Sequence, residues 1–132
     1  NMNFYESGNI NSDIIFIKNI FSNNEEKLIF NKILKALNLS QNQFFIIDII
    51  NANIKSDKKL NSLLNQLNSK FIITLGLEIS HFLLDSNKSL DILRTQKSFF
   101  KASKVIPTYS IQDIMINSNL KKHMWNDLKI IL

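Results

Sequence analysis

The chain has 132 residues and a formal net charge of +5, with 45% hydrophobic and 20% charged residues. This composition is typical of one globular domain and excludes a disordered or collagen-like chain. With 0 Cys, the chain has no disulfide framework, no thiol nucleophile and no cysteine-ligated zinc or iron–sulfur site. The positive charge permits contact with nucleic acid or an acidic protein, although a lysine-rich composition alone often accounts for it.

No apolar run approaches the ~20 residues that a membrane span requires, and no secretory signal is visible near the start. We therefore expect a cytoplasmic protein without membrane contact. The scarcity of Gly and Pro predicts mostly regular structure with short connections. We divide the chain into an N-terminal extension, residues 1–12, and a single domain, residues 13–132.

The first predicted strand, residues 13–17, is continuously apolar after Asp13, as a strand covered on both faces is. Ser22 and Glu25 form a capping box that predicts the start of the first helix. The second strand is predicted over residues 43–50, because this stretch is rich in aromatic and β-branched residues. The helix between them carries apolar residues at helical spacing, namely Ile29, Ile33, Leu34 and Leu37.

Ser56 or Asp57 is predicted to cap the second helix, which precedes a third strand over residues 70–76. A short helix, residues 77–85, follows the glycine turn at the end of that strand. Residues 87–103 are the least periodic part of the chain and predict no element. The apolar stripe of the second helix consists of Leu60, Leu63, Leu64 and Leu67.

The fourth predicted strand covers residues 104–109, and Ser110 with Asp113 forms a further capping signal directly after it. Ser118 opens the final helix. Strands that alternate with helices predict βαβ units with right-handed crossovers. We therefore predict a three-layer α/β fold with a central four-stranded, mainly parallel sheet flanked by helices. The apolar side of the final helix is predicted to carry Leu120, Met124, Trp125, Leu128 and Leu132.

Three stretches, residues 28–50, 71–84 and 105–131, resemble segments of the uracil-DNA glycosylase superfamily in order and spacing. The first is similar to the helix, loop and second strand of these enzymes. The second resembles their strand, Leu-Gly turn and following helix. The third resembles their Thr-Tyr-His-Pro-like turn and a helix with a Trp-x-Asp-Leu ending, since it reads PTY from residue 107 and WNDL from residue 125. The resemblance implies a glycosylase-like version of the predicted sheet.

A glycosylase of this kind flips a uracil out of the duplex and stabilises the departing base as an anion. The resemblance places its water-positioning loop at residues 18–26, which include Asn19, its base-reading Asn on or near Asp48, and its catalytic His at Ser110. The loop contains no Gly, and an ionised Asp48 has no amide to donate. We therefore expect Asn19, Asp48 and Ser110 to be degenerate counterparts of the enzyme's site, and no enzymatic activity.

Psi subunits of the bacterial DNA polymerase III clamp loader share this fold without glycosylase activity, and residues 27–47 and 104–128 resemble them. The first stretch is similar to a helix, a leucine–polar–polar turn and a strand. The second is similar to a short helix, an Asn-containing turn and a helix with a Trp. The resemblance implies a chi-type partner bound by the folded domain, and clamp-loader ATPase subunits bound by an N-terminal peptide. Residues 1–12 do not show the Trp-containing pattern of that peptide.

Basic and aromatic residues are interleaved before and within the last predicted strand. Such a surface is suited to binding phosphates and stacking on bases. The alternative, which we favour, is a charged loop with two phenylalanines that anchor it to the core. The residues of this basic–aromatic segment are Arg94, Lys97, Phe99, Phe100, Lys101 and Lys104.

The final helix adds a small basic patch of Lys121, Lys122 and His123, which is more simply a solvated helix face. Trp125 is expected to pack in the core or at its edge, or to contact a protein partner if it is exposed beside Phe99 or Phe100. His81 is expected to be a packing or surface residue. The spacing of His, Asp and Glu predicts no metal site, and no glycine fingerprint predicts a cofactor.

Two functional readings remain open. The first is a non-catalytic replisome subunit of the psi type that links clamp-loader ATPase subunits to a chi-type partner. The second is a diverged DNA-binding or repair protein of the glycosylase superfamily, with or without residual base-excision activity. An enzyme needs an open pocket where Asn19, Asp48 and Ser110 converge, whereas an interaction subunit needs an exposed apolar patch.

Overall fold

The protein is described by a computed structural model over residues 2–51 and 54–132. Within these residues, the fold is α/β, with a mixed six-stranded sheet and six α-helices. The strands are β1 Phe4–Gly8, β2 Ile14–Asn19, β3 Phe45–Ile49, β4 Phe71–Leu75, β5 Ser98–Phe100 and β6 Ser103–Thr108. The helices are α1 Asn24–Ala36, α2 Lys58–Gln66, α3 Leu77–Leu84, α4 Leu90–Thr95, α5 Ile111–Ile116 and α6 Leu120–Leu128.

The strands lie side by side in the order β1-β3-β2-β4-β6-β5. The four central strands, β3, β2, β4 and β6, run parallel and are the four that the sequence predicts. The prediction of a four-stranded sheet was wrong in strand number, because β1 and β5 add an antiparallel strand at each edge of the described sheet. Both were missed because β1 is mostly exposed and polar, and β5 has only 3 residues.

Strand β1 lies within residues 1–12, which we expected to form an extension before the domain. It pairs with β3 from Phe4 opposite Ile49 to Gly8 opposite Phe45. Gly8 has φ +91, and a Cβ atom there would lie 2.5 Å from the carbonyl oxygen of Phe44. Only glycine therefore fits this close approach between the end of β1 and β3.

Helices cover both faces of the sheet. On one face, α2 and α3 pack against the strands, and the buried cluster there is Ile15, Ile17, Phe45, Ile47, Ile49, Ile54, Leu60, Leu63, Leu64, Ile72, Ile79, Leu83 and Val105. On the other face, α1, α5 and α6 enclose a cluster of Ile14, Phe16, Phe30, Leu37, Phe44, Ile73, Leu75, Ile106, Ile111, Ile114, Met124 and Leu128. Because side chains alternate along each strand, consecutive residues of β2 join opposite clusters.

The N-cap of α1 lies one residue later than predicted, and the predicted capping box of Ser22 and Glu25 does not form. Asn23, rather than Ser22, is the N-cap, and its side-chain oxygen accepts a hydrogen bond of 3.0 Å from the backbone N–H of Glu26. The carboxylate of Glu26 accepts a bond of 2.8 Å from the N–H of Ser22. The register shifts because Glu26 is the buried acid of this turn, while Glu25 is exposed.

Two of the other three predicted caps are confirmed. Asp57 caps α2, as one of the two predicted candidates. Ser110 and Asp113 form the predicted capping box at the start of α5. The final helix begins after Asn119 rather than Ser118.

Candidate functional site

The carboxyl ends of the parallel strands are where an α/β protein of this kind normally binds ligands. Asn19 is the last residue of β2, Asp48 is the penultimate residue of β3, and Ser110 follows β6. This end of the sheet is therefore the candidate site. Each of the three side chains has a different environment.

Asp48 is paired with a buried lysine. It lies directly opposite Lys18 in the parallel pair of β2 and β3, and the two side chains form an ion pair. The side chain of Lys18 is 2% exposed, and its ammonium also donates to the carbonyl of Asn19 and lies 3.3 Å from the ring centre of Phe21. The carboxylate of Asp48 is thus neutralised within the fold instead of being free to read a base.

The electrostatics of this pair are set by burial. Burial lowers the pKa of Lys18 below its ordinary value of 10.5, while the hydrogen bond and charge of Asp48 and the charge of Glu26 oppose that change. Removal from water therefore outweighs the attraction between the two groups. Such a pair specifies how β2 and β3 align but contributes little net stability.

Asn19 faces the opposite side of the sheet from Asp48. It pairs with Ile49, one residue beyond the opposed Lys18 and Asp48, and side chains alternate between faces along a strand. Asn19 lines a cleft of about 510 Å³ beside α3, together with Ile49, Ile54, Lys55, Ser56, Glu78, Ile79, His81 and Phe82. Asn19 and Asp48 therefore do not converge on one pocket. Asp48 instead lines a wide groove of about 1130 Å³ beside α1.

Ser110 caps a helix. Its hydroxyl accepts a bond of 3.0 Å from the backbone N–H of Asp113, and the Asp113 carboxylate accepts from the N–H of Ser110. Gly76, in the turn between β4 and α3, packs closely here, since a Cβ atom on it would lie 3.3 Å from the Cβ of Ser110. Ser110, which the resemblance matches to a catalytic His, thus serves to begin α5.

The loop that resembles the water-positioning loop is closed by Glu26. Its carboxylate is 3% exposed and accepts bonds from the backbone of Ser22 and from the side-chain amide of Gln112, at 2.8 and 2.7 Å. These bonds tie the loop to the start of α1 and to α5. Sequence patterns missed this contact because Gln112 lies 86 residues from Glu26.

Arg94, which the sequence placed in the basic–aromatic segment, is held by the fold. Its guanidinium donates two hydrogen bonds, 2.7 and 3.2 Å, to the carboxylate of Asp127, which also accepts a 2.6 Å bond from the Thr108 hydroxyl. The guanidinium lies 4.7 Å from the ring centre of Tyr109. The bonds to Asp127 raise the pKa of Arg94 above its ordinary value. Tyr109 and Asp127, the aspartate of the WNDL sequence, therefore have structural roles in this cluster.

The rest of the basic–aromatic segment forms one edge of the sheet. Phe99 in β5 is 60% exposed and lies opposite Lys104 in β6, so both side chains face the same side. Lys97 and Lys101 are exposed on either side of β5. Phe100 is partly buried against the core, as one of the two predicted anchors, whereas Phe99 is not an anchor.

The final helix presents the other predicted contact residues. Lys122 and His123 are exposed, and the His123 ring lies 6.5 Å from that of Tyr109. Lys121 and Trp125 line a groove between α6 and α1. Trp125 is 37% exposed and Leu132 is 69% exposed, so neither is buried as the helical pattern predicted.

The other histidine is His81, which lines the cleft beside α3. The His81 ring contacts the carbonyl of Lys88 at 2.6 Å. In the part of the chain that the structure covers, no group of three or more His, Asp or Glu side chains could hold a metal ion. Across residues 2–51 and 54–132, none of the helices is both long enough and apolar enough to cross a membrane.

No known family model matches the chain, and no curated protein is significantly similar to it in sequence.

Proposed function

We propose that this chain is a non-catalytic interaction subunit of the psi type, with a glycosylase-like domain that binds a chi-type partner and links it to clamp-loader ATPase subunits. One observation carries the proposal. The resemblance matches three residues to the site of a glycosylase. Two of them have structural roles in this fold, and the third faces the opposite side of the sheet from Asp48. Asp48 is neutralised by Lys18, Ser110 caps α5, and Asn19 faces the opposite side of the sheet.

The motif residues that are retained support the same proposal. The parallel arrangement of β3, β2, β4 and β6, with helices on both faces, is what the resemblance implies. Thr108 from the PTY sequence and Asp127 from the WNDL sequence bond to each other and hold Arg94. Retained residues thus stabilise the framework, while the chemical residues have changed, as in a fold used without its chemistry.

A specific observation favours the alternative, a diverged DNA-binding or repair protein. Phe99 is exposed between basic residues at the edge of the sheet, where it could stack on a base while Lys97, Lys101 and Lys104 contact phosphates. We rank this second because Arg94, the best phosphate ligand of the segment, is bonded to Asp127.

The two functions are separated by binding measurements with purified components. The chain is mixed with the chi subunit and the clamp-loader ATPase subunit from the same genome, and complexes are detected by size-exclusion chromatography with light scattering. We expect a stable complex with chi, and no uracil release from single- or double-stranded uracil-containing DNA.

The proposal fails if chi does not bind while DNA binds with an affinity that falls steeply with salt. In that case Phe99→Ala should weaken DNA binding, and Leu28→Ala, at an equally exposed apolar residue on α1, serves as the matched control.

A further inference from the structure

An apolar groove lies between α1 and α6, on the face of the sheet away from α2 and α3. Its volume is about 270 Å³. Buried side chains of Ile114, Met124 and Leu128 form its floor, and the partly buried Ile29 and Ile33 form one wall. Trp125 forms part of the other wall. The groove therefore exposes apolar surface of three helices in one place.

Packing within the domain covers only part of this surface, since Ile29 and Ile33 contact the buried cluster on this face but are not themselves fully buried. Helix α1 already covers the sheet with Phe30, and Leu37 just beyond its end is also buried. Ile29, Ile33 and Ala36 form a second apolar row on α1, at the spacing of one helix face. A row of apolar side chains that is only partly covered, beside a tryptophan that is 37% exposed, is typical of a surface that binds another protein.

The charges around the groove have one sign. The charged residues that line it are Lys32 and Lys121, and the part of its lining that the structure describes contains no carboxylate. Both lysines are exposed, so their ammonium groups are available to a ligand. An occupant with carboxylates beside its apolar side chains would match the groove in charge, and a basic one would be repelled.

The residues that line the groove on α1 and on α6 span a length that matches a short helical segment. Residues 29–36 of α1 and 121–128 of α6 each extend along the groove for ~10 Å at 1.5 Å per residue, which is about two helical turns. We propose that this groove binds an amphipathic helical segment of a partner protein, with apolar side chains on one face and Asp or Glu at their flanks. This deepens the proposed function, on which the identity of the partner rests.

The test places a large side chain in the groove. Ala36 is an exposed lining residue at the end of α1, so Ala36→Trp should obstruct the groove without disturbing the core. Leu28→Trp introduces the same side chain at an exposed position of α1 outside the lining and serves as the control. The probe is a phage-displayed library of random peptides selected on the wild-type chain. Unchanged circular dichroism and urea denaturation confirm that both variants fold.

We expect selected peptides to carry apolar residues at helical spacing with flanking Asp or Glu. Their affinity should fall on the order of tenfold or more for Ala36→Trp and remain unchanged for Leu28→Trp. Lys32→Glu and Lys121→Glu should each weaken binding about threefold to tenfold, mainly by slowing association, and the corresponding Arg variants should restore it.

Two outcomes overturn the inference: selection of basic peptides, or equal binding to wild type and Ala36→Trp. Sedimentation velocity tests for a third such outcome. If the free chain forms a dimer that Ala36→Trp abolishes, the occupant of the groove is a second copy of the chain and not a partner protein. The chi complex separates this inference from the proposed function. If Ala36→Trp leaves that complex intact, the groove assignment fails and the proposed function stands. If chi never binds while acidic peptides fill the groove, the proposed function fails and the groove remains.

Discussion

Within residues 2–51 and 54–132, two ion pairs join neighbouring elements, and they differ in how they are held. Lys18 and Asp48 lie opposite each other on the adjacent strands β2 and β3, with the lysine side chain 2% exposed. Arg94 and Asp127 join α4 to α6 across 33 residues of sequence, with side chains 15% and 11% exposed. The comparison is informative because both aspartates belong to stretches that resemble glycosylase motifs.

The two pairs differ in how the surroundings change the pKa of the cation. Burial lowers the pKa of Lys18, so its surroundings disfavour the charged form, although Asp48 opposes this. The carboxylate of Asp127 raises the pKa of Arg94, so this charged form is favoured. Removing one partner of the first pair should cost much stability, although the intact pair contributes little. The second pair stabilises the contact between α4 and α6, and we call it the helix clamp.

The largest effect is expected when the lysine loses its partner. Asp48→Ala should lower the free energy of unfolding by about 3–5 kcal/mol at neutral pH, because it leaves an enclosed ammonium without a counter-charge. Urea denaturation followed by circular dichroism measures this. A loss below ~1 kcal/mol would mean that Lys18 reaches water or gives up its proton, and the contrast between the pairs would then disappear.

A double variant separates charge from packing. Lys18→Met combined with Asp48→Leu removes both charges and keeps apolar volume between Phe21 and Phe30. Its stability should return to within about 1 kcal/mol of wild type, or exceed it. If the double variant is as unstable as Asp48→Ala, shape and not charge is what the site requires.

A smaller effect is expected for the helix clamp. Asp127→Ala removes the acceptor of Arg94 and of the Thr108 hydroxyl, and should cost about 2–3 kcal/mol in the same assay. Asp91→Ala is the matched control, because Asp91 is 4.0 Å from Arg94 and 89% exposed. Its cost should stay below ~0.5 kcal/mol. Equal costs for the two variants would contradict the role of Asp127 as a clamp.

The strands that could be predicted from the sequence are those that a local residue pattern defines. The four parallel strands were predictable because each is an apolar run covered on both faces. Strand β1 was not, because its FYESG sequence is stabilised by pairing with β3 and by the close approach at Gly8. Strand β5 is too short to produce a periodic signal.

The candidate site was less predictable than the fold. Lys18, a charged residue near the end of an apolar strand, was a local signal that a buried partner was needed, and Asp48 ends the next strand in the same way. Arg94 gave no such signal, because its partner is 33 residues away, and it was placed in a segment interpreted as a charged loop or, second, as a nucleic-acid surface. The groove beside Trp125 depends on how α1 and α6 lie together, which no local pattern encodes.

The smallest expected effect is a difference in pH dependence. The folded-state pKa of Lys18 lies below 10.5, so between that lowered value and 10.5 the unfolded chain binds more protons than the folded one. The free energy of unfolding of the wild type should therefore rise with pH relative to Lys18→Met/Asp48→Leu, by at most ~1.4 kcal/mol per pH unit. Urea curves between about pH 7 and pH 10 measure this difference.

The clamp supplies the control for that measurement. Because the bonds to Asp127 raise the pKa of Arg94 above an ordinary value that is already high, Arg94 keeps its proton in both folded and unfolded chains throughout this range. Arg94→Met/Asp127→Leu should therefore differ from wild type by a constant amount at every pH. A constant difference for both double variants would mean that Asp48 holds the proton of Lys18 as firmly as Asp127 holds that of Arg94. The two pairs would then differ in position but not in electrostatics.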